Sequence, residues 1–128
     1  MTATNGDSTV LATNSRTLAI GLSALLLSIP PIARVDMVSD VESLLRVVVE
    51  NKPVLVIVDT PLLGRHLYET TRELRLASPH ALHVLLSDSV TEFRELVYHS
   101  EELVIVKGTD PARLALSLEI LLHDHVTA

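Results

Sequence analysis

The sequence predicts a single doubly wound α/β domain, and three observations carry that reading. Short apolar runs alternate with stretches of helical periodicity five times along 128 residues. One run, VLVIVD at Val54–Asp59, is apolar on both faces, as a central parallel strand is when helices cover both sides of its sheet. The breaks between runs hold cap and turn residues, with no linker, repeat or low-complexity tract to divide the chain. Strands joined through helices in this way are expected to be parallel, with right-handed crossovers.

The elements follow in order. Residues 1–8 are small and polar and are expected to fray, with the domain over 9–124 and a tail at 125–128. Val10–Thr13 reads as the first strand. Arg16–Ile29 places Leu18, Leu22, Leu25, Leu26 and Ile29 at helical spacing, and Pro30-Pro31 stops the helix. Arg34–Val38 reads as a second strand. Ser39-Asp40-Val41-Glu42 is a capping box before a helix with Val41, Leu44, Leu45 and Val48 on one face. Pro53 leads into the Val54–Asp59 strand. A turn with Pro61 and Gly64 opens a helix to about Ala77, with Leu63, Leu67 and Leu74 inward. Ala81–Ser87 is a fourth strand, and Ser89-Val90-Thr91-Glu92 a second capping box before Phe93, Leu96 and Val97. Leu103–Lys107 is the fifth strand. Thr109-Asp110-Pro111 supplies a cap with proline at the first helical position, and Leu114, Leu118, Leu121 and Leu122 point inward from the fifth helix.

Composition narrows the function. Ten basic against 16 acidic side chains give a formal charge of −6, and the aromatics are Tyr68, Phe93 and Tyr98 alone. Nucleic-acid binding, which needs basic patches and stacking platforms, is therefore not expected. The absence of cysteine excludes disulfides, thiolate catalysis and cysteine zinc sites. Mean hydropathy is high at +0.39, largely through the run LAIGLSALLLSIPPI at Leu18–Ile32. A membrane span needs about 20 apolar residues, more than this run has. The segment before it sets only Arg16 against Asp7, with no cationic leader. The run is expected to be a buried helix, with no membrane partner and a cytoplasmic location.

Ligands of open parallel sheets bind beyond the carboxyl ends of the strands. Three polar residues fall at such ends: Asp59, Ser87 and Lys107, the last one of two lysines with Lys52. The carboxylate can accept a phosphoryl group. The hydroxyl can donate to a phosphate oxygen, and the ammonium can neutralise another. Together they suggest a phosphate site. No G-x-G-x-x-G or Walker loop follows the first strand, where the chain reads ATNSRT, so an enzyme or nucleotide-binding protein is the least favoured class.

With Asp59, Ser87 and Lys107 in a (βα)5 frame over about residues 9–124, the chain resembles the receiver domain of two-component response regulators. LAIGLSALLLSIPPIARVDMVSD looks like the first helix and second strand of receivers that precede helix-turn-helix output domains. The resemblance implies a flavodoxin-like sheet in the order 2-1-3-4-5. It also implies a phosphoacceptor at Asp59, phosphate-sensing roles for Ser87 and Lys107, and a histidine kinase as possible donor. The departures are specific. The family's acidic pair for Mg2+ after strand 1 is here Thr13 and Asn14, a hydroxyl and an amide, so the metal pocket is degenerate. Val104 stands where the family has an aromatic switch, Gly108 follows Lys107 where proline is usual, and Pro61 is two residues early. Asp88 follows Ser87 where a small residue is preferred; it would repel a phosphoryl group or stand in as a metal ligand, the former being favoured.

The resulting expectation is an atypical, pseudo-receiver-like domain that signals by protein–protein contact, is not an enzyme, and needs no cofactor. The alternative is a working phosphoacceptor in a phosphorelay, modified on Asp59 with Mg2+. Of the histidines only His123-Asp124-His125 cluster, and residues two apart on a helix diverge, so no metal site is expected there. Beyond their inward stripes, the first helix carries Ile20 and Leu27 and the fifth Leu116 and Ile120. Extra apolar surface on a helix marks an interface, so a homodimer or an output-domain contact is expected through these two helices.

Overall fold

The computed structural model describes residues 7–99, 102–108 and 110–127, the last three of these by backbone alone. Five parallel strands stand in the order β2-β1-β3-β4-β5. They are β1 (Asp7–Ala12), β2 (Ile32–Val38), β3 (Leu55–Asp59), β4 (Leu82–Ser87) and β5 (Leu103–Val106). The helices are α1 (Arg16–Leu27), α2 (Val41–Asn51), the single turn α3 (Thr60–Leu63), α4 (Leu67–Ala77), α5 (Val90–His99) and α6 (Pro111–Thr127). The doubly wound fold and its strand order are as the sequence and the resemblance imply.

Alternation along β3 builds two cores. Val56 and Val58 join Val10, Leu44, Leu74 and Leu96 under α2, α4 and α5. Leu55 and Ile57 join Leu11, Leu26, Ile29 and Leu118 under α1 and α6. All five residues of β3 are buried, which is why its run is apolar on both faces.

Several boundaries move for identifiable reasons. Strand β1 starts at Asp7, inside the segment expected to fray, because the Asp7 N–H donates to the Pro31 carbonyl at 3.1 Å and the β1–β2 ladder continues to that point. Helix α6 runs on to Thr127, through the expected tail; residues 1–6 and Thr109 lie outside the described residues. Helix α2 is capped one residue later than the box suggested: Asp40 Oδ1, not Ser39, accepts from the Ser43 N–H at 2.7 Å. The carboxylate is the stronger acceptor for a first-turn amide.

The expected turn at Pro61 and Gly64 is present and contains a helical turn of its own, α3. Gly64 has φ 54° and ψ −136°, and a 3-10 turn over Gly64–His66 separates α3 from α4. Glycine alone adopts that conformation without strain. Leu63, Leu67 and Leu74 are nonetheless all buried. Leu22 and Leu26 of α1 and Ile29 just past it are buried, whereas Leu18 and Leu25 are half-buried. Those two, with Leu114 and Ile105, line an open groove of about 650 Å³ between α1 and α6 that ends at Lys107. Ile20, Leu27, Leu116 and Ile120 are exposed, at 61%, 49%, 58% and 52%. No helix among the described residues is long and apolar enough to cross a membrane.

Candidate functional site

The carboxyl ends of β1, β3, β4 and β5 converge on Asp59, whose residue exposure is only 3%. Thr13 is fixed just past β1 by its N–H, which donates to the Val38 carbonyl at 3.0 Å. Its hydroxyl accepts from the Ser15 N–H at 3.0 Å and donates to Asp59 Oδ2 at 2.7 Å. The other oxygen, Oδ1, pairs with the Lys107 ammonium. Lys107 reaches it because β5 ends beside β4, where the Lys107 N–H donates to the Ser87 carbonyl at 2.9 Å.

The same ammonium meets Asp88 Oδ1 at 2.5 Å. Two carboxylates therefore share one cation. Burial pulls the Lys107 ammonium towards deprotonation, but the hydrogen bonds and charges of Asp59 and then Asp88 outweigh it, and its pKa ends above the usual lysine value.

Ser87 is fully buried, and its hydroxyl bonds to the β4–α5 turn and to helix α5. It lies 2.8 Å from the Ser89 carbonyl and 3.0 Å from Glu92 Oε1, so its single proton has two acceptors. Asn14 is exposed at the rim. Of the residues singled out in the sequence, Thr13, Asp59, Asp88 and Lys107 form one contact network. Ser87 belongs to an adjoining one.

That adjoining network holds the residues sequence reasoning missed. Glu92 Oε1 accepts from Thr60 Oγ1 at 2.7 Å and from the Asp88 N–H at 2.9 Å, besides Ser87. Glu92 reads in the sequence as the last residue of a capping box, and half of that box is present: Ser89 Oγ accepts from the Glu92 N–H at 3.1 Å. The carboxylate, however, reaches back past Ser89 to the loop above β4. An acidic side chain one turn into the helix that follows Ser87 was the available signal.

A resident Mg2+ does not fit these donors. One Asp59 oxygen is occupied by a hydroxyl donor and the other by an ammonium, and the remaining nearby carboxylate, Asp88, holds that same ammonium. Among the described residues no group of three His, Asp or Glu side chains is arranged to hold a metal. Mg2+ gives up its water only for a well-placed set of hard, charged oxygens.

No protein-family model and no curated protein matches the chain. Solved structures do. The chain is similar to the signal receiver domain of an HD domain-containing protein from Pseudomonas fluorescens, with TM-score 0.81, 18% identity, and 99% and 94% of the two chains covered. It is similar to a LuxR-family two-component response regulator from an Aurantimonas species, with TM-score 0.78, 22% identity, and 93% and 86% covered. It is also similar to the receiver domain of a sensor histidine kinase from Pseudomonas aeruginosa, with magnesium coordinated in its active-site cleft, at TM-score 0.76, 20% identity, and 92% and 98% covered. At this identity the likeness establishes the fold: the chain is built as receiver domains are.

Proposed function

We propose that this chain is an atypical receiver domain that works in signal transduction by protein–protein contact, with Mg2+-dependent phosphorylation of Asp59 weak or absent. One observation carries the reading: both oxygens of Asp59 are already engaged, by the Thr13 hydroxyl and the Lys107 ammonium, where a phosphoacceptor needs a free oxygen and a bound cation. Thr13 and Asn14 add no charge to recruit that cation, and Asp88 keeps Lys107 occupied. The likeness to the LuxR-family regulator supports an output domain as partner, and the exposed apolar residues of α1 and α6 support contact through those helices, either with that domain or with a second copy.

The test is a Mg2+ titration with acetyl phosphate and, separately, beryllofluoride, read by intact mass and by amide chemical shifts. The expected result is no saturable metal binding and no mass gain. Saturable Mg2+ binding together with a modified Asp59 overturns the reading and establishes the phosphoacceptor alternative.

A further inference from the structure

Two routes leave the Asp59 carboxylate, and both arrive at one atom of helix α5. The first runs along the chain: Thr60 follows Asp59, and its hydroxyl donates to Glu92 Oε1 at 2.7 Å. The second runs through space: Lys107 joins Asp59 to Asp88, and the Asp88 N–H donates to Glu92 Oε1 at 2.9 Å. The Ser87 hydroxyl is the third donor, at 3.0 Å. These donors come from the residue after β3, the end of β4 and the β4–α5 turn, and Glu92 ties all three to the first turn of α5. Hydrogen bonds to a carboxylate are the stronger kind, and one oxygen within reach of three donors draws all three segments to a common point.

Within the group the Ser87 hydroxyl has one proton and two acceptors in reach. The Ser87 proton can go to Glu92 Oε1 or to the Ser89 carbonyl, 2.8 Å away. A change at Asp59 that moves Thr60 or Asp88 alters what Glu92 is offered, and so biases that choice. Coupling between sites needs an element whose alternatives both sites can bias, not proximity alone, and this choice of acceptor is such a candidate. Glu92 sits in the first turn of α5, anchored by Ser89, and the outer surface of that helix carries Val90, Val97 and Tyr98, exposed by 58%, 56% and 88%.

We propose that Glu92 is a positioning residue that couples the state of Asp59 to helix α5, acting through Thr60, Ser87 and Asp88. This goes beyond the function proposed above and requires neither a phosphoryl group nor a metal.

The experiment is amide hydrogen exchange on the full chain, with Asp59→Asn as the perturbation at the pocket. In the otherwise native chain, Asp59→Asn is expected to change exchange across Val90–His99 by about tenfold, the scale set by one net hydrogen bond. With Glu92→Ala the same perturbation should change α5 by less than about twofold, within the scatter of a single weak contact. Glu92→Gln, whose amide oxygen still accepts, should restore the response. Glu92→Asp, which keeps the charge on a shorter arm, should not, and it serves if the alanine variant does not fold. An α5 response that is the same with and without Glu92, or no response in the native background, overturns the proposal. No phosphodonor or Mg2+ enters this experiment, so its failure is distinct from a failure of the proposed function.

Discussion

At Thr9 the sheet buries a hydroxyl completely, and among the described residues its Oγ1 has no hydrogen-bond partner. An unmade bond in the core costs more than the apolar isostere, so Thr9→Val should stabilise the fold by about 1 kcal/mol in urea denaturation. Lys107 has the opposite balance. Lys107→Met leaves the buried Asp59 carboxylate without its cation and should cost about 2 kcal/mol, below the range for fully buried pairs because the ammonium is partly in water. Its pKa is raised from 10.5 in the fold. The stabilisation is therefore complete below that value and is lost as pH rises through the raised one, and alkaline titration of stability should show a step that Lys107→Met removes. At this scale the candidate site was half legible. Strand-end position and side-chain chemistry marked Asp59 and Lys107, because strand ends can be counted in a sequence. The turning of Ser87 towards Glu92 was not legible, since it depends on a rotamer chosen among acceptors contributed by a following helix.

Elements were legible where one pattern dominated. The run at β3 could be nothing but a central strand, and Ser89 caps α5 as its spacing implies. Ends were less legible, because backbone geometry decides them after packing. Ser39 and Asp40 both suit a cap, and the carboxylate prevailed. The turn at Pro61 and Gly64 was legible, with Gly64 at positive φ, but the single helical turn α3 within it was not. Helix α2 ends on Lys52 at φ 47° and ψ 60°, a left-handed conformation that a β-carbon disfavours. Lys52→Gly should therefore raise stability by about 1 kcal/mol, measured by chemical denaturation, less whatever glycine adds to the freedom of the unfolded chain.

For the whole molecule, the surplus of apolar residues divides into two parts. One fills the two cores on either side of β3. The other lies outward on α1 and α6, beside the groove they leave between them. If that surface joins two copies, light scattering should give a dimer that Ile20→Glu and Leu116→Glu each reduce to a monomer. A native monomer removes self-association and leaves the output domain as the occupant; a dimer that survives both substitutions places the contact elsewhere.

The two edges of the sheet are guarded differently, and this has a consequence for handling the protein. Edge strand β2 carries Arg34 and Asp36, paired at 3.3 Å, which discourage another strand from adding there. Edge strand β5 reads LVIV and has no charge within it. At its start Glu102 is buried against Arg75, and at its end stands Lys107. A short uncharged β-branched edge is a template for intermolecular strand addition, and flanking charge is what restrains it. Lys107 thus protects the colloidal state of the protein as well as neutralising Asp59. Variants made to disarm the site through Lys107 should form β-rich aggregates on concentration sooner than variants of Asp88, even where the two are equally folded.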